Sequence, residues 1–176
     1  MNSIFMTAVT YTIILYSLAG FAFSYPAPLN EAESGWSSPK PGPYKNVWTG
    51  FYNAGTEGGT ISALVAGGRK MVPFICRAVG DSKMSRRRYA ISALGHLHDR
   101  RAILTLETIY SDTDEDSLFR GDALEAIFVI DQLLGQFYAD RVIAKGLPKD
   151  DYLLKTALRV FSVPQSMLRL PVPNEP

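Results

Sequence analysis

Arg87-Arg88-Tyr89-Ala90-Ile91-Ser92-Ala93-Leu94 and, thirty-three residues on, Arg120-Gly121-Asp122-Ala123-Leu124-Glu125-Ala126-Ile127 are two copies of one pattern. An aspartate precedes each copy at the same distance, Asp81 in the first and Asp114 in the second. Arginine, alanine, a large aliphatic residue and alanine recur in register. A period of about 20–50 residues marks stacked helical units, because one unit cannot bury its apolar face alone. Within each copy the apolar positions fall three and four residues apart, the spacing of one helix face.

Working outward, the same spacing extends along the chain. Ile61, Leu64 and Val65 share a face before Gly67-Gly68, and Met71, Val72, Ile75 and Val79 share another. Ser85 is the expected N-cap of a helix over 86–97 that buries Tyr89, Ala90, Ala93, Leu94 and Leu97. Asp99 caps the next helix, with Ala102, Ile103, Leu106 and Ile109 inward. Asp114 or Asp116 starts another, with Leu118, Ala123, Ile127 and Ile130 inward and a break near Gln132. Gly146-Leu147-Pro148 ends the helical pattern that follows. Asp150 or Asp151 caps a last helix through Phe161, expected to bury Leu153, Leu154, Leu158 and Phe161. Upstream, Tyr44, Val47, Trp48, Phe51 and Tyr52 fit one or two helical turns, and residues 53–59 read as a glycine-rich turn.

The segment Arg88-Tyr89-Ala90-Ile91-Ser92-Ala93-Leu94-Gly95-His96-Leu97-His98-Asp99-Arg100-Arg101-Ala102-Ile103 resembles the HEAT-like repeat of the bilin-lyase type of helical solenoid. Residues 112–127 resemble a degenerate second copy, with Phe128 where the glycine of Ala-Leu-Gly would fall. The resemblance covers roughly residues 70–130. It implies an all-α fold: a short HEAT-like helical-hairpin solenoid, a right-handed superhelix, with flexible N- and C-terminal tails. Asp81 with Arg87, and Asp114 with Arg120, are the expected structural pairs tying each turn to its second helix. The alanines at 90, 93, 123 and 126 are expected to let helices approach closely. The aromatic segment and the last helix would cap the two ends.

The organisation expected is therefore a signal peptide or anchor over 1–24, a Pro/Gly-rich linker with an aromatic cap segment over 25–59, a helical repeat domain over 60–162, and a Pro-rich tail over 163–176. Residues 1–24 carry no charged side chain, and Ala22-Phe23-Ser24 offers small residues at the −3 and −1 positions for cleavage before Tyr25. This reads as a secretory signal peptide and places the protein outside the cytoplasm, in the periplasm or secreted; the alternative is a retained membrane anchor. The single cysteine, Cys76, excludes an internal disulfide and reads as a buried apolar residue.

The net charge of +1 conceals segregation. Residues 69–101 hold nine basic residues against Asp81 and Asp99, while residues 107–131 hold eight acidic residues against Arg120. Such a field steers partners and favours contact between basic and acidic repeats of two copies, or it closes internally as salt bridges. Arg86, Arg88, Arg100 and Arg101 are the candidate partner-binding residues, for another protein above all. Nucleic acid is not the expected partner of an exported chain, although some HEAT-like proteins bind DNA through such arginines. A membrane is a partner only if residues 1–24 stay attached.

No P-loop, dinucleotide fingerprint or Gly-x-Ser-x-Gly motif occurs. His96, His98 and Asp99 cluster, but two histidines two residues apart do not share a helix face, and they read as turn residues rather than metal ligands. The His-Glu pairs of the iron-binding HEAT-like hydroxylases are missing, so no catalytic residue and no cofactor is expected. The function expected is non-catalytic: a charged helical surface for protein–protein interaction. The alternatives are a small-ligand-binding or lyase-like protein of the same repeat class, which needs an apolar pocket, and a membrane-anchored envelope structural protein.

Overall fold

Four of the helix starts are made by one device, a side-chain oxygen that accepts a backbone N–H left over in the first turn. Thr56 accepts from Gly59, Asp116 from Leu118, Asp131 from Leu134 and Asp151 from Leu154, at 2.7–3.1 Å. Asp99 does the same for a short 3-10 turn by accepting from Arg101 at 3.0 Å. The computed structural model describes residues 44–164 and Met167. The expected signal peptide or anchor, the linker up to residue 43 and most of the Pro-rich tail lie outside them.

Among the described residues the protein is all-α, as expected, with eight α-helices and no strand. They are α1 (Lys45–Asn53), α2 (Glu57–Ala66), α3 (Val72–Val79), α4 (Arg87–His96), α5 (Ile103–Ser111), α6 (Ser117–Ile130), α7 (Gln132–Ala144) and α8 (Tyr152–Phe161). They pair in chain order as α1 with α2, α3 with α4, α5 with α6, and α7 with α8. The second helices form a continuous row, α2 on α4, α4 on α6 and α6 on α8. One apolar core runs along the row, from Trp48 and Phe51 through Ile75, Ile91, Leu94, Leu106, Leu124 and Ile127 to Leu153 and Val160.

The row is close because its contacts are small. Ala90, Ala93, Ala123 and Ala126 are all buried. A Cβ on Gly95 of α4 would sit 3.1 Å from the Ala126 Cα of α6. The glycine of Ala-Leu-Gly is therefore a packing residue. Phe128, its counterpart in the second copy, instead presses its backbone onto Gly135, so the close approach in that unit is between α6 and α7.

Three local expectations are corrected. Ser85 does not cap α4: the N-cap position is Arg86, left-handed at φ 59° with no side-chain cap. Gly58 and Gly59 lie inside the first turn of α2, so the turn after α1 is shorter than residues 53–59. On α8 the buried positions are Leu153, Leu154, Thr156, Ala157 and Val160, whereas Leu158 and Phe161 are about half exposed (50% and 51%). The helix turns two smaller residues inward because α6 lies close. The break near Gln132 is real, and Asp131 makes it by ending α6 and capping α7.

Overpacking the α4–α6 contact tests this arrangement. Gly95→Ala and Ala126→Leu are each expected to lower stability by about 1–3 kcal/mol in urea unfolding. Wild-type midpoints in both variants would contradict the close approach.

Candidate functional site

Of the eight residues singled out from the sequence, the six arginines are bound into the frame within and between hairpins, while Asp81 and Asp114 stay in their own turns. Arg87 is buried, 4% exposed. Its Nε donates to the Val79 carbonyl at 2.6 Å, its Nη1 pairs with Glu115 at 2.5 Å, and its guanidinium lies 5.0 Å from the Phe119 ring centre. Arg120, its counterpart, donates from Nε to the Tyr110 carbonyl at 3.1 Å. In both units the arginine of the second helix binds a carbonyl near the end of the first helix. The expected tie to aspartate takes another form. Asp81 accepts from the Lys83 backbone at 2.9 Å, and in the later unit Asp112 fills that turn role by accepting from the Asp114 backbone at 3.0 Å.

The four candidate partner-binding arginines all have acceptors inside the molecule. Arg86 donates to the Phe51 and Ala54 carbonyls at 2.8 and 2.9 Å, closing the C-terminus of α1. Arg88 pairs with Asp122 at 2.8 Å and donates to the Tyr152 hydroxyl at 3.1 Å. Arg100 pairs with Asp131 at 3.0 Å. Arg101 pairs with Asp99 at 2.6 Å and donates to the Arg69 carbonyl. The basic and acidic repeats thus meet each other: α4 reaches α6, and the turn before α5 reaches the turn before α7. Arg159 of α8 completes the series by pairing with Glu125 of α6 at 2.7 Å.

Burial and pairing pull on the carboxylates in opposite directions. Burial pushes the Asp122 carboxyl above its ordinary range, against the lowering effect of Arg88 and the Tyr152 hydroxyl. At Asp99 burial also pushes upward, but the hydrogen bonds and charge of Arg101 outweigh it and hold the carboxyl below its ordinary range. His96 and His98 are exposed, and His98 is left-handed at φ 48°. No group of three or more metal-binding side chains gathers among the described residues. Cys76 is half-buried on α3, and burial raises its thiol; a hydrogen bond with Thr105 of α5 acts the other way.

A second place was not singled out from the sequence. Between α5 and α7 lies a half-open groove of about 400 Å³. Leu104, Glu107, Thr108, Tyr110 and Ser111 form one wall; Tyr138, Arg141 and Lys145 form the other. The rings of Tyr110 and Tyr138 stand 5.0 Å apart. The Tyr138 hydroxyl donates to Glu107 at 2.5 Å; burial and that carboxylate push it up to about 12. Leu104 is 65% exposed, and on the outer ridge of α7 Leu133 and Phe137 are 48% and 55% exposed. Arg141 continues that ridge and stacks over Phe137 at 5.6 Å. The legible signal was the four-residue spacing of Leu133, Phe137, Arg141 and Lys145, an exposed stripe that changes from apolar to basic.

Comparison with known proteins finds no protein-family model, no curated protein and no solved structure that matches this chain.

Asp99→Asn keeps a capping oxygen and removes the charge. Because the folded carboxyl is held below its ordinary value, its stabilising effect is fully present above the ordinary carboxylate range. That effect is lost as pH falls through the lowered folded value. The variant should be less stable by about 1 kcal/mol at neutral pH, with the gap closing in strong acid, by urea unfolding across pH. A gap independent of pH would rule out this charge effect.

Proposed function

We propose that this is an exported, non-catalytic protein of HEAT-like hairpins whose work is to bind another protein, and that its binding face is the first-helix face built by α5 and α7. The observation that carries the reading is exposed Leu104 in the wall of the Tyr110–Tyr138 groove, with exposed Phe137 on the α7 ridge beside Tyr138. Large apolar side chains grouped with aromatics and an arginine, in a shallow groove, are the composition of a protein interface core. The arginines of the first copy and of the turn after it serve the frame instead, since their charges close on Glu115, Asp122, Asp131 and Asp99. Charge closure of this kind makes the hairpin row rigid, and a rigid scaffold lowers the ordering cost of binding.

The row of second helices and the two like-placed arginines, Arg87 and Arg120, support the HEAT-like reading, in which each hairpin repeats the previous one. The half-open groove favours a polypeptide segment over an enclosed small molecule, for which a deeper cavity is the rule. Export is supported by the uncharged apolar stretch and the Ala22-Phe23-Ser24 junction. No helix among the described residues is long and apolar enough to cross a membrane.

A photo-activated cross-linking residue placed at Leu104 or Phe137, in the native host, is expected to yield adducts with a second protein. The same residue at Leu158, on α8, is the control. Adducts only at Leu158, or none with protein at any position, would overturn the binding face. Intact mass is expected to show a chain beginning at Tyr25 in the exported fraction; a chain beginning at Met1 in the membrane fraction would replace export by anchoring.

A further inference from the structure

The groove has a charge of its own. Arg141 and Lys145 stand four residues apart on one wall, both exposed. Among the described residues neither lies within ion-pair distance of a carboxylate, while five other arginines of the protein do. Like charges at this spacing on a helix repel each other. The end of a helix favours one cation through its dipole, and Arg141 in the last turn of α7 fills that role; Lys145 beyond it is an additional charge. The carboxylate in the groove, Glu107, is already held by the Tyr138 hydroxyl. Asp140 is next to Arg141 in sequence, but successive residues turn about 100° around a helix, so it faces away from the groove.

We infer that the groove between α5 and α7 binds an acidic peptide segment of a partner protein, with Arg141 and Lys145 receiving its carboxylates and Leu104 and Phe137 receiving an adjoining apolar side chain. This rests on the protein-binding reading above and names the partner's chemistry. Charge complementarity decides the occupant. The groove offers two cations and a tyrosine-bound carboxylate, so a basic segment meets net repulsion and an acidic one does not. Leu104 of α5 lines the same groove as the two cations, and Phe137 adjoins it on the α7 ridge, with Arg141 over its ring. An aromatic or aliphatic residue next to Asp or Glu in the ligand would therefore engage both at once. The Tyr138–Glu107 bond fixes the groove floor, since it ties α7 to α5 at the point where the two tyrosine rings meet.

The test is selection from a display library of random twelve-residue peptides against the whole protein, followed by titration of the selected peptides. Binders are expected to carry Asp or Glu beside an aromatic or aliphatic residue. Their affinity is expected to fall at least tenfold in Arg141→Glu/Lys145→Glu, and to weaken with added salt. Arg141→Gln/Lys145→Gln should fall between, with the helical circular dichroism of both variants unchanged. Selected peptides that cross-link to Leu104 or Phe137 but lack acidic enrichment, or bind the reversed variant equally, would overturn the acidic partner and leave the binding face standing. A library with no binder dependent on Leu104 or Phe137 would overturn the peptide site itself. Two further measurements decide against the inference if positive. One is co-sedimentation of wild type, but not the reversed variant, with phosphatidylglycerol vesicles, which assigns the cations to a lipid surface. The other is a concentration-dependent dimer abolished by Phe137→Asp, which assigns the face to a second copy.

Discussion

Arg87 is the joint on which the middle of the protein depends. A guanidinium at 4% exposure is tolerated only when its donors are used and its charge is met. The Val79 carbonyl, the Glu115 carboxylate and the Phe119 face supply those partners from α3, from the turn before α6 and from α6 itself. One side chain thus closes the hairpin it belongs to and fastens it to the next. A buried pair of this sort adds little net stability over an apolar substitute, but loss of one partner strands a buried charge at about 3–5 kcal/mol. It therefore works as a constraint on geometry: the hairpins can stack in one register, or the arginine is left uncompensated.

Around that joint the charge segregation of the chain becomes a ladder. Arg88 to Asp122, Arg100 to Asp131 and Glu125 to Arg159 each link one hairpin to the next. Arg159–Glu125 is an exposed pair and contributes up to about 1 kcal/mol, whereas Arg88 and Arg100 each meet a buried aspartate, and the three together select the order of neighbours. The consequence for function is a division of the surface. The arginines of α4 and the turn before α5 close on acceptors inside the molecule, whereas the groove between α5 and α7 leaves Leu104 and two cations to solvent.

Much of this was legible locally. Asp99 was legible as a cap, and the pairs Asp114/Asp116 and Asp150/Asp151 were each narrowed to one by the structure, because a short carboxylate bonds first-turn amides a few residues away; the cap at Asp131 was not singled out. The inward placement of Ala90, Ala93, Ala123 and Ala126 was legible from their three- and four-residue spacing, and all four are buried. Ser85 misled because a cap also requires the following backbone to enter the helix directly; the left-handed Arg86, held by carbonyls of α1, prevents it. On α8 the apolar period allowed two stripes one step apart, and only the position of α6 chose between them.

The amino-acid sequence by itself determined the helical class and several of the helix starts made by capping aspartates, because each rests on interactions among residues a few positions apart. Tertiary structure alone decided which carboxylate each arginine meets, which face of α8 is buried, and that α5 and α7 stand side by side to form a groove. Those outcomes depend on distances between segments some thirty residues apart, such as Tyr138 to Glu107 and Arg88 to Asp122. No local periodicity carries that information; it arises when the small residues of α4 and α6 let the helices close and thereby place every other side chain.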